Sequence, residues 1–270
     1  MRKLTRLWAV AVAAATATAV LGGGAVYASV AQGHPAARPK PTVVLVHGAF
    51  ADSSSWSGEI PALRKAGYPV VAVANPLRGL PSDSAYLSSI LATIQGPIVV
   101  VGHSYAGMVI SQAAATAPNV KALVYVAAFI PQVGESAGAL NTKFPGSQLV
   151  DDNFVVRDGP LGTDIYLKQD RYGEVYAGGL SAADIQVASV TQRPITVAAL
   201  TDPATAAAPA ATPKWMVVAL DDNAVPTQLQ FFMAKRAGAR ITTVHSGHDV
   251  PATSARTVDR VILEAASTVH

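Results

Sequence analysis

The sequence predicts an α/β fold in which a mostly parallel β-sheet is covered by helices on both faces. Short runs of apolar, often β-branched residues recur along the chain, as expected of strands that are buried on both sides. Segments with the start and stop signals of helices lie between these runs, so that strands and helices alternate. The 270 residues are enough for one large domain with a substantial core or for two small domains.

Turn and capping residues set the expected limits of each element. Strands are predicted at residues 42–46, 70–74, 98–101, 121–127, 215–220 and 241–244. Helices are predicted at residues 56–66, 83–93, 108–117, 227–237 and 255–266. Residues 52–55 supply caps for the first helix, which stops at Gly67, and Ser82 or Asp83 caps the second.

The alternation of strands and helices stops at Pro131 and resumes after Pro213. Between these prolines the sequence has no long apolar run but many turn residues, with helix-like pieces around residues 164–171 and 181–191. An insertion at this point of a parallel α/β domain lies above the carboxyl ends of the strands, where ligands bind. Residues 131–213 are therefore predicted to form a lid within a domain that spans residues 42–270.

The N-terminal region is typical of a secretory signal peptide. Arg2, Lys3 and Arg6 precede an apolar, alanine-rich stretch, and small residues follow up to Ala31. We expect a signal peptide over residues 1–31, a proline-rich linker over residues 32–41 and a secreted mature protein. The alternative is an uncleaved membrane anchor, because residues 7–30 carry no charge and a span needs about 20 residues.

Charge and cysteine content exclude several partners and chemistries. The chain has 20 basic and 17 acidic residues, and loss of the predicted leader leaves 17 of each. This balance gives no reason to expect nucleic acid as a partner, nor a stable membrane partner once the leader is cleaved. The sequence has no cysteine, which excludes disulfides, a thiolate nucleophile and thiolate-bound metals.

A turn that is typical of a nucleophilic serine follows the third predicted strand. The apolar run ends at Gly102, Ser104 follows two residues later, and Ala106 stands where a second glycine is usual. The pattern G-x-S-x-small between a buried strand and a helix predicts a sharp turn that presents the serine hydroxyl at the head of the helix. Free backbone N–H groups lie beside such a hydroxyl.

A serine hydroxyl needs a base to become a nucleophile, and the base needs a carboxylate to orient it. Asp221 and Asp222 follow the fifth predicted strand, and His245 and His248 follow the sixth. Loops after parallel strands meet at one edge of the sheet, so these side chains are expected near Ser104. His248 is favoured over His245 because it follows a glycine in a loop, whereas His245 ends a strand.

From about residue 42 to the C-terminus, the chain resembles the α/β-hydrolases, and in particular the small serine esterase branch that includes plant methylesterases and hydroxynitrile lyases. The resemblance rests on residues 47–50 (HGAF), 102–107 (GHSYAG) and 222–226 (DNAVP). It implies an α/β-hydrolase fold and a catalytic triad of Ser104, His248 and Asp222, with Asp222 favoured over Asp221. We expect this triad to cleave carboxylic esters through an acyl-enzyme, without a cofactor.

The resemblance also assigns roles to backbone groups and to the other histidines. The oxyanion hole is expected to consist of the N–H groups of Tyr105 and Ala49, with Phe50 as the alternative to Ala49. His47 is expected to be structural in the oxyanion turn. His103 is expected to point away from the nucleophile and pack beneath the turn.

Other functions stay open at this point. A lyase on the same scaffold is disfavoured because hydroxynitrile lyases carry a lysine directly after the catalytic histidine, where this chain has Asp249. A non-catalytic binding protein is disfavoured by the complete triad. His245, His248 and Asp249 have a spacing that suits metal ligands, but Gly247 disfavours a helix and no third ligand cluster exists, so no metal is expected.

The predicted lid contains several aromatic residues and few clustered charges. They indicate either a small-molecule ester substrate with an apolar group or a small core of the lid itself. These residues are Phe154, Tyr166, Tyr172 and Tyr176. The sequence leaves ester, thioester, lactone and amide substrates open.

Overall fold

The structure is a computed structural model that describes residues 39–269. The strands, in chain order, are β1 (Thr42–Val46), β2 (Val70–Val73), β3 (Ile98–His103), β4 (Val120–Val126), β5 (Phe154–Gly159), β6 (Gly162–Leu167), β7 (Ile195–Thr196), β8 (Lys214–Ala219) and β9 (Arg240–Val244). The α-helices are α1 (Glu59–Lys65), α2 (Leu80–Thr93), α3 (Ala106–Ala114), α4 (Ala137–Asn141), α5 (Gln169–Val175), α6 (Ala182–Thr191), α7 (Val197–Thr201), α8 (Thr227–Arg236) and α9 (Val250–Ser267).

The main sheet has six strands in the order β2-β1-β3-β4-β8-β9, and every neighbouring pair is parallel. The interior strands β3 and β8 are buried along their whole length, whereas the edge strands β2 and β9 are partly exposed. Burial on both faces explains the continuous apolar runs in the sequence. The predicted α/β fold with a mostly parallel sheet is confirmed.

Helices cover both faces of this sheet because successive strand residues point to opposite sides. Val44 and Val46 of β1 pack in the core that includes residues of α2, α3 and α8. Val43 and Leu45 pack in a second core, which includes residues of α1 and α9. The carboxyl ends of the strands lie between these two layers and carry the loops described below.

Several helix starts differ from the prediction: α3 begins at Ala106 instead of residue 108, α9 begins at Val250 instead of residue 255, and α1 and α2 differ as follows. The predicted helix 56–66 is divided into a 3₁₀ turn at Ser53–Trp56 and α1, with the Asp52 carboxylate accepting the Ser54 N–H at 2.7 Å. Helix α2 begins at Leu80 with Gly79 at its N-cap position, so neither Ser82 nor Asp83 is the cap. The Asp83 carboxylate is buried and accepts the backbone N–H of Arg78 at 3.0 Å.

The segment between β4 and β8 contains a second sheet that the sequence patterns did not predict. Strands β5, β6 and β7 form it, and both of its pairs are antiparallel. The helix-like piece predicted at residues 164–171 is wrong, because residues up to Leu167 belong to β6 and α5 begins only at Gln169. Gly159 pairs with Gly162 around a two-residue turn, and this hairpin signal was present in the sequence. The piece at residues 181–191 is helix α6.

Within residues 39–269, the structure contains no helix that is both long and apolar enough to cross a bilayer. The predicted signal peptide and nearly all of the predicted linker lie outside the described residues. Both therefore stay predictions.

Candidate active site

Ser104 occupies a sharp turn between β3 and α3. Its backbone has φ = 56°, a left-handed conformation that residues other than glycine rarely adopt. Neighbouring glycines make this turn possible, since a Cβ on Gly107 would lie 2.0 Å from the carbonyl oxygen of Phe129 and one on Gly48 would lie 2.7 Å from the Cβ of Ser104. Gly48 and Gly107 are therefore required because neighbouring chain segments approach them too closely for a side chain.

The structure brings Ser104, His248 and Asp222 together, although they are far apart in the sequence. The Nε2 atom of His248 lies 2.7 Å from the Ser104 Oγ, and its Nδ1 atom lies 2.8 Å from the Asp222 Oδ2. A carboxylate accepts hydrogen bonds, so Nδ1 carries the proton of the neutral ring and Nε2 is free to accept the Ser104 hydroxyl proton. All three residues are buried at the carboxyl edge of the sheet.

Asp222 is held by a network that the sequence patterns did not predict. Its Oδ1 accepts the backbone N–H groups of Ala224 and Val225, both at 2.8 Å. Its Oδ2 accepts the Gln230 side-chain amide at 2.8 Å in addition to the His248 ring. Gln230 is fully buried on α8, and no pattern in the sequence distinguishes it from the other polar residues of that helix.

The competing residues lie apart from Ser104. His245 and Asp221 face solvent and approach each other at 3.4 Å, without contact to the site. In the described part of the chain, no group of three histidine or acidic residues is arranged to hold a metal ion. The geometry thus selects Asp222 and His248 as the partners of Ser104.

The candidate oxyanion donors differ in their availability. The N–H groups of Ala49 and Tyr105 make no hydrogen bond within residues 39–269, and both residues line the cavity that contains Ser104. The N–H of Phe50 instead donates to the Arg193 carbonyl at 3.0 Å, so it is occupied. The side chain of Tyr105 points elsewhere, and its hydroxyl donates to the buried Asp83 carboxylate at 2.9 Å.

His47 has a structural environment. Its Nε2 accepts the backbone N–H of Asn75 at 3.0 Å, so its Nδ1 donates to the Gly48 carbonyl at 2.9 Å. Burial lowers the pKa of His47 to about 4, so the ring is neutral near pH 7. The ring therefore connects the turn after β1 to the loop after β2.

A cavity of about 160 Å³ opens beside the Ser104 hydroxyl, and most of its wall is apolar. Phe154 and Tyr176 line it, whereas Tyr172 donates its hydroxyl to the Phe50 carbonyl at 2.8 Å. Tyr166 lies on the second sheet, and the Cζ atom of the Arg157 guanidinium is 4.8 Å from the centroid of its ring. The aromatic residues of the predicted lid thus divide between the cavity wall and the packing of the inserted segment.

Asp249, directly after His248, does not line this cavity. It lies in the wall of a neighbouring groove, which shares Phe50 with this cavity. Its carboxyl group is buried, and burial raises its pKa to about 6. Hydroxynitrile lyases are expected to carry a lysine at this position, so the buried acid of Asp249 disfavours that activity.

A nucleophile turn, a histidine and a carboxylate at the carboxyl edge of a parallel sheet define a class of α/β enzymes that use a serine. The chain belongs to the alpha/beta hydrolase family, whose sequence profile matches residues 43–261.

Known proteins similar to this chain include hydrolases and esterases. It is 35% identical over 113 residues to a carbendazim-hydrolysing esterase of Nocardioides sp. strain SG-4G, a match that covers 37% of this chain and 47% of the relative. It is 28% identical over 251 residues to the alpha/beta hydrolase nvfD of Aspergillus novofumigatus, covering 84% of this chain and 97% of the relative.

Solved structures are also similar. A methylesterase from Arabidopsis has the same fold, with a TM-score of 0.71 at 18% identity over 85% of this chain and 100% of that one. This likeness confirms the predicted α/β-hydrolase fold.

Proposed function

We propose that this protein is a serine hydrolase that cleaves carboxylic esters. The observation that carries the proposal is the single imidazole of His248, which is in hydrogen-bond contact with both Ser104 and Asp222. This arrangement suits proton transfer from the serine to the histidine, with the carboxylate stabilising the imidazolium that forms. The family membership and the esterases among the relatives support the same reaction class.

The reaction proceeds in two stages on these residues. The Ser104 Oγ attacks the ester carbonyl carbon while its proton passes to Nε2 of His248. The tetrahedral intermediate collapses, the proton passes from His248 to the leaving alcohol, and an acyl-Ser104 remains. Water then attacks the acyl group with His248 again as the base, which releases the acid and restores the serine.

The negative charge of the tetrahedral intermediate needs hydrogen-bond donors. The unoccupied N–H groups of Ala49 and Tyr105 suit this role, because both residues border the cavity at Ser104. One such donor typically contributes about 3 kcal/mol to transition-state stabilisation. The engaged N–H of Phe50 favours Ala49 as the second donor.

The size and lining of the cavity favour a small substrate with a compact apolar group. Its volume of about 160 Å³ is below the ~300 Å³ at which ordinary ligand pockets begin. The wall next to Ser104 carries aromatic and aliphatic side chains and no lysine, arginine or carboxylate. We therefore expect p-nitrophenyl acetate and butyrate to be cleaved faster than the laurate ester.

The test compares Ser104→Ala with Ser89→Ala, whose serine lies exposed on α2. Ser104→Ala should lose ester cleavage and labelling by a fluorophosphonate probe, which reacts with activated serines. Ser89→Ala should retain both. Unchanged turnover in Ser104→Ala would refute the proposal, and cyanohydrin cleavage in place of ester cleavage would favour the lyase alternative.

Secretion is a separate proposal, which rests on the sequence of residues 1–31. Expression of the full chain in a secreting bacterial host should release a protein that begins at Gln32, as measured by N-terminal sequencing of the culture medium. Recovery of an intact N-terminus in the membrane fraction would instead indicate the uncleaved anchor.

A further inference from the structure

His103 is a buried histidine that the proposed mechanism does not use. It is the last residue of β3 and directly precedes Ser104. Its ring makes no hydrogen bond to the Ser104 hydroxyl but lies against the His248 ring, with 4.9 Å between the ring centroids. The ring therefore contacts the loop that carries the base.

One ring nitrogen of His103 binds the backbone of this loop. Its Nε2 lies 2.9 Å from the carbonyl oxygen of His248, and a carbonyl only accepts hydrogen bonds, so Nε2 carries a proton. The other nitrogen, Nδ1, has no partner within the described residues. Burial holds the pKa of His103 well below its ordinary range, which keeps the ring neutral with its one proton on Nε2.

The His248 loop has few other attachments near this carbonyl. The same oxygen accepts the N–H of Val250 at 2.8 Å, which comes from the loop's own helix. On the lid side, the N–H of Asp249 donates to the Tyr176 carbonyl at 3.0 Å. His103 is the attachment that comes from the strand bearing the nucleophile.

We propose that His103 is a positioning residue for the base: its Nε2–H anchors the His248 backbone to the strand that presents Ser104. The inference rests on the proposed function, because it assigns His103 a role in the same reaction. The 2.7 Å contact between Ser104 and His248 is then supported from the strand of Ser104 itself by one short connection, from β3 through the His103 ring to the His248 carbonyl. A shift of the imidazole by about 1 Å is enough to lower a rate by roughly 100-fold.

Three substitutions separate positioning from simple packing. Glutamine places an amide N–H about where Nε2 lies, asparagine places it about where Nδ1 lies, and leucine fills the space without a donor. His103→Leu and His103→Asn should lower kcat by roughly 10- to 100-fold. KM should stay within about threefold, and fluorophosphonate labelling should slow in parallel, because the substrate cavity is unchanged and only the base is displaced.

His103→Gln should recover kcat to within about fivefold of the wild type. Melting temperatures of all variants are measured alongside, since a packing role changes stability without separating glutamine from asparagine. Folded leucine and asparagine variants with wild-type kcat, or a glutamine variant no better than asparagine, would overturn the inference.

A measurement on the unmodified protein does not depend on the folding of any variant. Nitrogen-15 NMR of labelled histidine should find His103 neutral, with its proton on Nε2. A proton on Nδ1 would overturn the inference by itself. Failure of the proposed function is recognised separately, because an active Ser104→Ala variant would refute serine catalysis whatever the His103 variants do.

Discussion

Replacing Glu59 by glutamine should change how the stability of this protein depends on pH. Glu59 lies in the first turn of α1, and its side chain is fully buried. Within residues 39–269, neither of its carboxyl oxygens has a hydrogen-bond partner. Burial raises the pKa of Glu59 from 4.5 to about 8, and the nearby carboxylates of Asp259 and Asp249 act in the same direction.

The direction follows from the proton balance between the two states. Between pH 4.5 and about 8, folded Glu59 keeps a proton that the unfolded chain has released, so the contribution of Glu59 to the unfolding free energy falls as pH rises. The lowered pKa values of His47 and His103 act in the opposite direction, but only below about pH 6.5. One proton corresponds to at most about 1.4 kcal/mol per pH unit. The raised pKa values of Asp249 and Asp259 also make the unfolding free energy fall as pH rises. Both values are about 6, so most of this contribution is complete below pH 7. The fall between pH 7 and 8 therefore belongs to Glu59.

Urea unfolding at pH 5, 6, 7 and 8 measures this dependence. The wild type should lose about 1 kcal/mol of unfolding free energy between pH 7 and 8. Glu59→Gln should lose almost none in this interval, whereas Glu174→Gln, a change at an exposed carboxylate paired with Arg171, should keep the wild-type slope. A wild type whose stability is constant or rises from pH 7 to 8 would refute the assignment of a neutral buried acid.

Three further predictions concern the site. Asp222→Asn should lower kcat about 10⁴-fold with the fold retained, because the amide no longer favours the productive tautomer of the base, whereas Asp221→Asn should have wild-type kcat; equal effects of the two changes would contradict the assignment. Gly107→Ala should cost about 3 kcal/mol or more in urea unfolding, because its Cβ would overlap the Phe129 carbonyl oxygen, and a variant of wild-type stability would contradict the close backbone approach at this turn. Phe154→Ala removes a ring from the cavity wall and so enlarges the cavity, which should raise the ratio of p-nitrophenyl butyrate cleavage rate to p-nitrophenyl acetate cleavage rate roughly tenfold. An unchanged ratio would show that Phe154 does not contact the substrate.

The parts of the fold that sequence patterns predicted are those with local causes. Buried parallel strands need continuous apolar runs, and the turn at Ser104 needs small residues beside it, so both are visible within a few residues. The hairpin of β5 and β6 had a local signal too, in the glycines at 159 and 162, but its amphipathic strands lack the apolar runs of the main sheet.

The supporting residues of the site had no local signal. His103 and Gln230 each contact a partner outside their own element, at His248 and Asp222 respectively. Glu59 looks like an ordinary acidic residue in the first turn of a helix, and only the packing of α1 against α9 buries it. A contact between separate elements depends on how those elements pack, and no short pattern records that packing.

By itself, the amino-acid sequence determined the alternation of strands and helices, the nucleophile turn and a short set of candidate acids and bases, because periodicity and turn chemistry act over a few neighbouring residues. The sequence favoured Asp222 and His248 over Asp221 and His245, but only the tertiary structure decided that His248 contacts Ser104 and Asp222 contacts His248. The reason is geometric. The two aspartates are one position apart and the two histidines are three positions apart, and the direction in which each side chain points is set by the hydrogen bonds that the folded loop makes.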